Sequence, residues 1–175
     1  MKQIAPQGFE VLAPSIDEKR IRDTNPRELV RRISVAKARI LQPRISGQAI
    51  IITGDQVTVC DGEVREKPRN QDEARRWLQS YRSSPVDVVN GVFAVGTDPY
   101  KEAFANTFAK VWLKNLTDAN IEHIIANTPA MECSGACAAG HPQWDNFTGK
   151  IDGGIDGLYG LPIETTRRLI ELVSP

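Results

Sequence analysis

Residues Ile50 to Pro68 run I-I-I-T-G-D-Q-V-T-V-C-D-G-E-V-R-E-K-P. The opening isoleucines read as a buried strand, because β-branched side chains pack well on a pleated surface. Gly54-Asp55-Gln56 interrupts the run, and apolar residues resume at Val57. Asp61-Gly62 is a strong hairpin signal, since a tight two-residue turn needs positive φ at both positions. The return arm, Glu63 to Pro68, carries Arg65, Glu66 and Lys67. Asp55 is therefore expected at the broken end of a buried strand, with cations folding back nearby. That arrangement suits a metal ion or a polyphosphate. The plainer alternative is a polar strand end followed by an ordinary charged hairpin.

Upstream, Phe9 to Ile16 reads as a short strand leading into Asp17-Glu18-Lys19-Arg20. Asn25-Pro26-Arg27-Glu28 combines a capping residue, a proline at the first helical position and a glutamate three residues after the cap. Leu29, Ile33, Ala36 and Ile40 then recur at helical spacing. At about 100° per residue, Lys37 falls inside this apolar stripe. Lysine is almost never buried alone. It either snorkels from the edge of the stripe or aims a cation into a polar cleft.

Downstream, Asn70 and Glu73 form a capping box ahead of a helix whose buried face is Ala74, Trp77, Leu78 and Tyr81. Val86 to Val95 reads as a strand, with Asn90-Gly91 as a bulge signal inside it. Glu102 to Leu113 alternates as a long strand, with Phe104, Phe108 and Trp112 on one face as sheet packing. Thr117 caps a helix carrying Ile121, Ile124 and Ile125, with His123 on its surface. A last helix carries Leu169, Ile170, Leu172 and Val173. This order of elements implies an α/β domain with a mixed sheet.

The 22 basic and 22 acidic side chains cancel, which argues against a dedicated nucleic-acid binder. No segment is apolar for long enough to span a membrane, and the first residues lack a signal-peptide core. Three cysteines make no disulfide framework, so a reducing, cytoplasmic setting is expected. Cys133, Cys137 and His141 are spaced for one helix face, but Gly135, Gly140 and Pro142 argue against a helix there. A structural zinc also closes with four ligands. The G-x-G-x-x-G and G-x-x-x-x-G-K-[ST] phosphate loops are absent from the sequence. Glu18, Lys37, Asp55 and Lys67 remain. Two acids and two amines converging in one cleft would suit metal-assisted phosphoryl chemistry.

The pieces S-I-D-E-K-R-I-R, P-R-E-L-V, A-K-A, G-D-Q-V, R-E-K-P and D-G-L-Y-G-L-P occur in that order between Ser15 and Pro162. Together they resemble the Maf family of nucleoside triphosphate pyrophosphatases over nearly the whole chain. The resemblance implies one Maf-like domain over residues 1–175, with a Maf/ITPase-like two-lobed α/β fold. An elongated mixed sheet would be flanked by helices, with a nucleotide cleft between the lobes. The reaction it implies splits a nucleoside triphosphate between the α- and β-phosphorus. Pyrimidine or modified nucleotides are the expected substrates, and Asp55-Gln56 is a weak pointer to modified bases. On the matching positions, Asp55 would activate water and Glu18 would share a Mg²⁺ or Mn²⁺ with it. Lys37 and Lys67 would contact phosphates, and Gln56 would join the substrate site. Family members commonly dimerise, so a homodimer is expected, with neither nucleic acid nor membrane as partner.

Two departures from the family pattern bear on activity. The S-x-S-x-R-R phosphate loop of relatives has no counterpart in Met1 to Gly8, M-K-Q-I-A-P-Q-G. A strand would then be missing and a sheet edge left unpaired unless a neighbouring subunit or another segment covers it; a natural chain that starts further upstream is a separate expectation. Gly140 also stands where, by the resemblance, many relatives carry a glutamine or glutamate before His-Pro. A catalytically impaired relative that binds nucleotide or a partner protein is therefore the alternative expectation.

Overall fold

The cap at Asn25 works as its chemistry requires. Its side-chain oxygen accepts from the Arg27 N–H at 3.0 Å, and α1 runs Pro26–Leu41 with proline in its first turn. Glu28 does not close the box. It pairs with Arg31 at 3.3 Å, and Asp23 takes the Asn25 N–H instead. The computed structural model describes residues 8–175. After α1 come β1 (Ile50–Cys60), β2 (Glu63–Arg65), α2 (Gln71–Ser80), β3 (Val86–Thr97) and β4 (Tyr100–Leu113). They are followed by α3 (Asp118–Asn127), α4 (Pro142–Asp145), β5 (Thr148–Gly153) and α5 (Ile163–Val173).

The strands form one sheet in the order β2-β1-β3-β4-β5. Among the described residues it is antiparallel, a narrower statement than the mixed sheet the resemblance implies. Tight turns join β1 to β2 and β3 to β4, and tight turns connect antiparallel neighbours. The β1–β2 hairpin is the one the sequence signals. Cys60 faces Glu63, and Asp61 and Gly62 both take positive φ, 50° and 79°.

Close contacts divide the chain into two units. The first gathers the described residues up to Asp55 with Asn90–Thr107 and Gly160–Pro175. The second gathers Gln56–Val89 and Phe108–Tyr159. In the first, strand alternation sorts side chains onto two faces. Ile51, Phe93 and Val95 pack with Ala38 and Leu41 of α1. Val92 and Ala94 pack with Leu169 and Val173 of α5, and Ile52 borders them. Gly91 lies on the α1 face. A Cβ there would come within 2.9–3.0 Å of Val30, including its backbone. The glycine therefore permits close approach of the helix, and β3 runs through it as one strand instead of bulging.

In the second unit α2 and α3 pack on the sheet. Leu78, Tyr81, Ile121, Ile124 and Trp144 form the heart of the core. Thr117 caps α3 by accepting from Asn120 at 3.2 Å, and His123 is exposed as expected. At the start of α2, Asn70 accepts from the Glu73 N–H at 2.9 Å. Glu73 reaches back one residue further than a standard box, to the Arg69 N–H at 2.7 Å and to the Arg69 guanidinium. These hydrogen bonds hold the Glu73 carboxyl down, to about 2. The folded value lies below the unfolded one, so this stabilisation is complete above about pH 4.3 and is lost as pH falls toward the folded value. Glu73→Gln should therefore flatten the acid limb of the stability curve between those two values. Denaturant midpoints measured from pH 2 to 6 check it.

Four sequence expectations are corrected. Phe9–Ile16 forms no strand; residues 8–17 carry no regular structure, and Val11 is 80% exposed. An extended segment counts as a strand when a neighbour supplies a ladder, and among the described residues none does. β1 is unbroken through Gly54-Asp55-Gln56, because Gly54 suits a strand whose neighbour's Gly91 carbonyl oxygen would sit 3.3 Å from a Cβ. The return arm ends as a strand at Arg65, so Lys67 lies in the exposed turn beyond it. Ile40 and Leu172 are exposed, since the buried stripe of α1 runs through Val30, Ile33, Ser34, Ala38 and Leu41 and that of α5 through Thr166, Leu169 and Val173.

Candidate active site

Three elements of the first unit place three charged side chains together. A short 3-10 turn, Glu18–Arg20, carries Glu18. α1 carries Lys37 inside its buried stripe, and β1 carries Asp55. The Lys37 ammonium lies 2.8 Å from Asp55 Oδ1 and 3.0 Å from Glu18 Oε1, and it donates to the Gly54 carbonyl at 3.2 Å. An ammonium has three N–H donors, and these three acceptors account for them. Burial alone pulls the Lys37 ammonium down. The hydrogen bonds and charges of Asp55 and Glu18 outweigh that burial and hold it above its usual value.

Exposure is graded across the group. Lys37 is 15% exposed and Asp55 11%, whereas Glu18 is 48% exposed. The aspartate and lysine form a fixed, half-buried pair, and the glutamate closes it from the solvent side. Two carboxylates against one ammonium leave a formal charge of −1. That donor set fits a divalent cation of the magnesium type, which typically takes one or two carboxylates and completes its shell with water and substrate phosphate. Among the described residues no three His, Cys, Asp or Glu side chains gather as a closed protein cage.

Lys67 and Gln56 belong to the second unit. Gln56 is half-buried in β1. Lys67 is exposed, and the residue before it is anchored by the Gly135 N–H, which donates to the Glu66 carbonyl at 2.9 Å. Arg65, a cation of the same arm, is structural. It is buried, donates to Ser80 Oγ at 2.7 Å, and stacks over the Tyr81 ring at 5.0 Å.

Cys133 and Cys137 flank a 3-10 turn in which Gly135 takes φ 62°, so they do not share a helix face with His141. Burial pushes the Cys137 thiol up to about 12, which keeps it protonated and poorly nucleophilic at neutral pH. Gly140 takes φ 87°, and a Cβ there would lie 3.0 Å from the Tyr159 ring. Its N–H donates to Asp145 at 2.9 Å. Gly140→Glu should therefore destabilise the fold by about 1–2 kcal/mol. Thermal unfolding of the variant checks this.

Sequence reasoning passed over three groups: the Gly54 carbonyl that accepts from Lys37, and Ser34 and Thr53 on the same helix and strand. Ser34 and Thr53 are buried, and Thr53 donates to the Ser34 carbonyl at 2.8 Å. The available signal was polarity in apolar positions. Ser34 sits one turn before Lys37 on the buried stripe, and Thr53 shares a strand face with Asp55.

A family model described as Maf-like protein matches residues 1–173. The chain is 35% identical over 173 residues to the 7-methyl-GTP pyrophosphatase of Dictyostelium discoideum, covering 95% of this chain and 87% of that protein. It is 33% identical to the 7-methyl-GTP pyrophosphatase of Idiomarina loihiensis, covering 89% of this chain and 79% of that protein. It is 28% identical to the dTTP/UTP pyrophosphatase of Vibrio vulnificus, covering 93% of this chain and 86% of that protein.

Proposed function

The chain belongs to the Maf-like protein family, and from that premise we propose that it is a nucleoside triphosphate pyrophosphatase. Water adds to the α-phosphorus, the bond from that phosphorus to the bridging oxygen breaks, and pyrophosphate leaves with the bond's electron pair. The observation that carries the reading is the Lys37 ammonium held between Asp55 and Glu18.

Asp55 accepts a hydrogen bond from the attacking water and takes its proton as the bond forms. Lys37 acts as a fixed charge more than as a free donor, because protein acceptors already hold its N–H groups. It keeps the Asp55 carboxylate in one orientation and offsets the negative charge of an incoming triphosphate. Asp55 and Glu18 would hold a Mg²⁺ or Mn²⁺, which when bound withdraws charge from the phosphate oxygens.

Modified nucleotides such as 7-methyl-GTP are the first substrates to try, followed by dTTP and UTP, since relatives carry those names. The test is a nucleotide panel with Mg²⁺ or Mn²⁺, scored for pyrophosphate and for the matching monophosphate. Pyrophosphate and monophosphate in equal amounts from one of these nucleotides are expected. Nucleotide binding without release from any member of the panel would overturn the reading in favour of a binding module.

A further inference from the structure

We infer that Ser34 and Thr53 are positioning residues for the Lys37–Asp55 pair. They fix the register of α1 on the sheet, Thr53 from β1 and Ser34 against β3, and the inference rests on the pyrophosphatase reading for its kinetic consequence alone. The apolar contacts of α1 with Ile51, Phe93 and Val95 set how close the helix lies to the sheet. Such contacts are non-directional and tolerate small slides along the strand. Hydrogen bonds are short and directional, and tolerate little.

The helix makes such bonds at successive points. Ser34 Oγ donates to the Val30 carbonyl at 2.6 Å and approaches the Gly91 carbonyl on β3 at 3.1 Å. Thr53 Oγ1 donates to the Ser34 carbonyl at 2.8 Å. Lys37, one turn on in the helix, reaches back toward the helix N-terminus to meet Asp55, two residues on in β1, at 2.8 Å. The polar contacts thus join the closed interior, where Ser34 is 0% and Thr53 7% exposed, to the half-buried Asp55.

Satisfying the backbone does not require these contacts. The Ser34 carbonyl lies within α1, where it already accepts from the N–H four residues on. Valine has nearly the shape of threonine and would fill the same space, but without a directional bond. What the threonine hydroxyl adds is register, and the side chains placed by that register are Lys37 and Asp55. Gly91 contributes by letting α1 approach β3 within reach of the Ser34 hydroxyl.

The experiment compares wild type, Thr53→Val, Thr53→Ser and Ser34→Ala by two readouts. The first is turnover. Thr53→Val should lower kcat about tenfold or more with KM changed little, since a misplacement approaching 1 Å costs up to about 10²-fold. Thr53→Ser should recover most of the loss. The second readout needs no activity: the rate at which an amine-acylating ester modifies Lys37, followed by peptide mass spectrometry. That rate should rise several-fold in Thr53→Val and Ser34→Ala and return to the wild-type value in Thr53→Ser. Lys101, which donates to the Ser174 carbonyl in the same unit, serves as the control and should stay constant.

Unchanged Lys37 acylation in the folded variants would overturn the inference. So would Lys101 rising in step with Lys37, which would mean general loosening of the unit. If Thr53→Val does not fold, Ser34→Ala, which removes the contact of α1 with Gly91 on β3 and keeps the Thr53 bond, is read by the same two measurements. If wild type releases no pyrophosphate, the proposed activity falls, and the acylation rates alone decide the positioning role.

Discussion

Asp55→Asn is expected to reduce kcat for pyrophosphate release by roughly 10²–10⁴-fold, the range a positioned general base contributes. The substitution keeps the size of the side chain and an oxygen to accept from Lys37, so the 2.8 Å contact and the fold should survive. What it removes is the negative charge, and with it the capacity to take a proton from water or to share a divalent cation with Glu18. Asp55 is 11% exposed within a continuous strand, so little else can move into its place. Steady-state rates on the best nucleotide of the panel, with thermal unfolding as a control for folding, check the prediction. A rate within tenfold of wild type would remove Asp55 from the chemistry.

Lys37→Met should lower both stability and turnover, and a second substitution separates the two effects. Methionine keeps the apolar stem that packs within the α1 stripe but loses the ammonium. The Asp55 carboxylate then faces Glu18 with no cation between them. Removing one partner of a fully buried ion pair costs about 3–5 kcal/mol. Glu18 is 48% exposed and water reaches its side of the group, so about 1–3 kcal/mol is the expectation here. Adding Asp55→Asn to Lys37→Met should recover most of that stability, because the stranded charge is gone, while turnover stays lost. Urea unfolding of the two single variants and the double variant measures the coupling directly. Additive stabilities would show that the contact carries no energy.

Much of this architecture was legible where the determinants are local. Asn25 followed by Pro26 marked the start of α1. Asp61-Gly62 marked the hairpin, because its backbone needs positive φ wherever it occurs. The period of α1 put Lys37 among apolar neighbours, where a lysine either snorkels to solvent or aims its cation into a polar cleft. Glu18 and Asp55 were the acids the family pattern offered, and both proved to be in contact with it.

Reading failed where the outcome depends on a distant partner. Phe9–Ile16 has strand chemistry, but a strand is a property of a pair. Gly91 looked like a bulge because a glycine in a strand has several uses, and its use here is set by Val30 on another element. Arg65 and Lys67 are two residues apart with the same charge sign. One is sealed over Tyr81 and the other faces solvent, a difference set by packing in the second unit.

By itself the sequence determined the starts of α1, α2 and α3, the hairpin turn, the α/β class and a lysine on the apolar stripe of α1, because these follow from short-range geometry and from side-chain periodicity. The tertiary structure decided which acids answer that lysine at 2.8 and 3.0 Å, and which hydroxyls hold the helix in register while they do so. Those contacts join residues far apart in the chain, and their distances depend on how closely α1 can approach a sheet that carries a glycine at the point of contact.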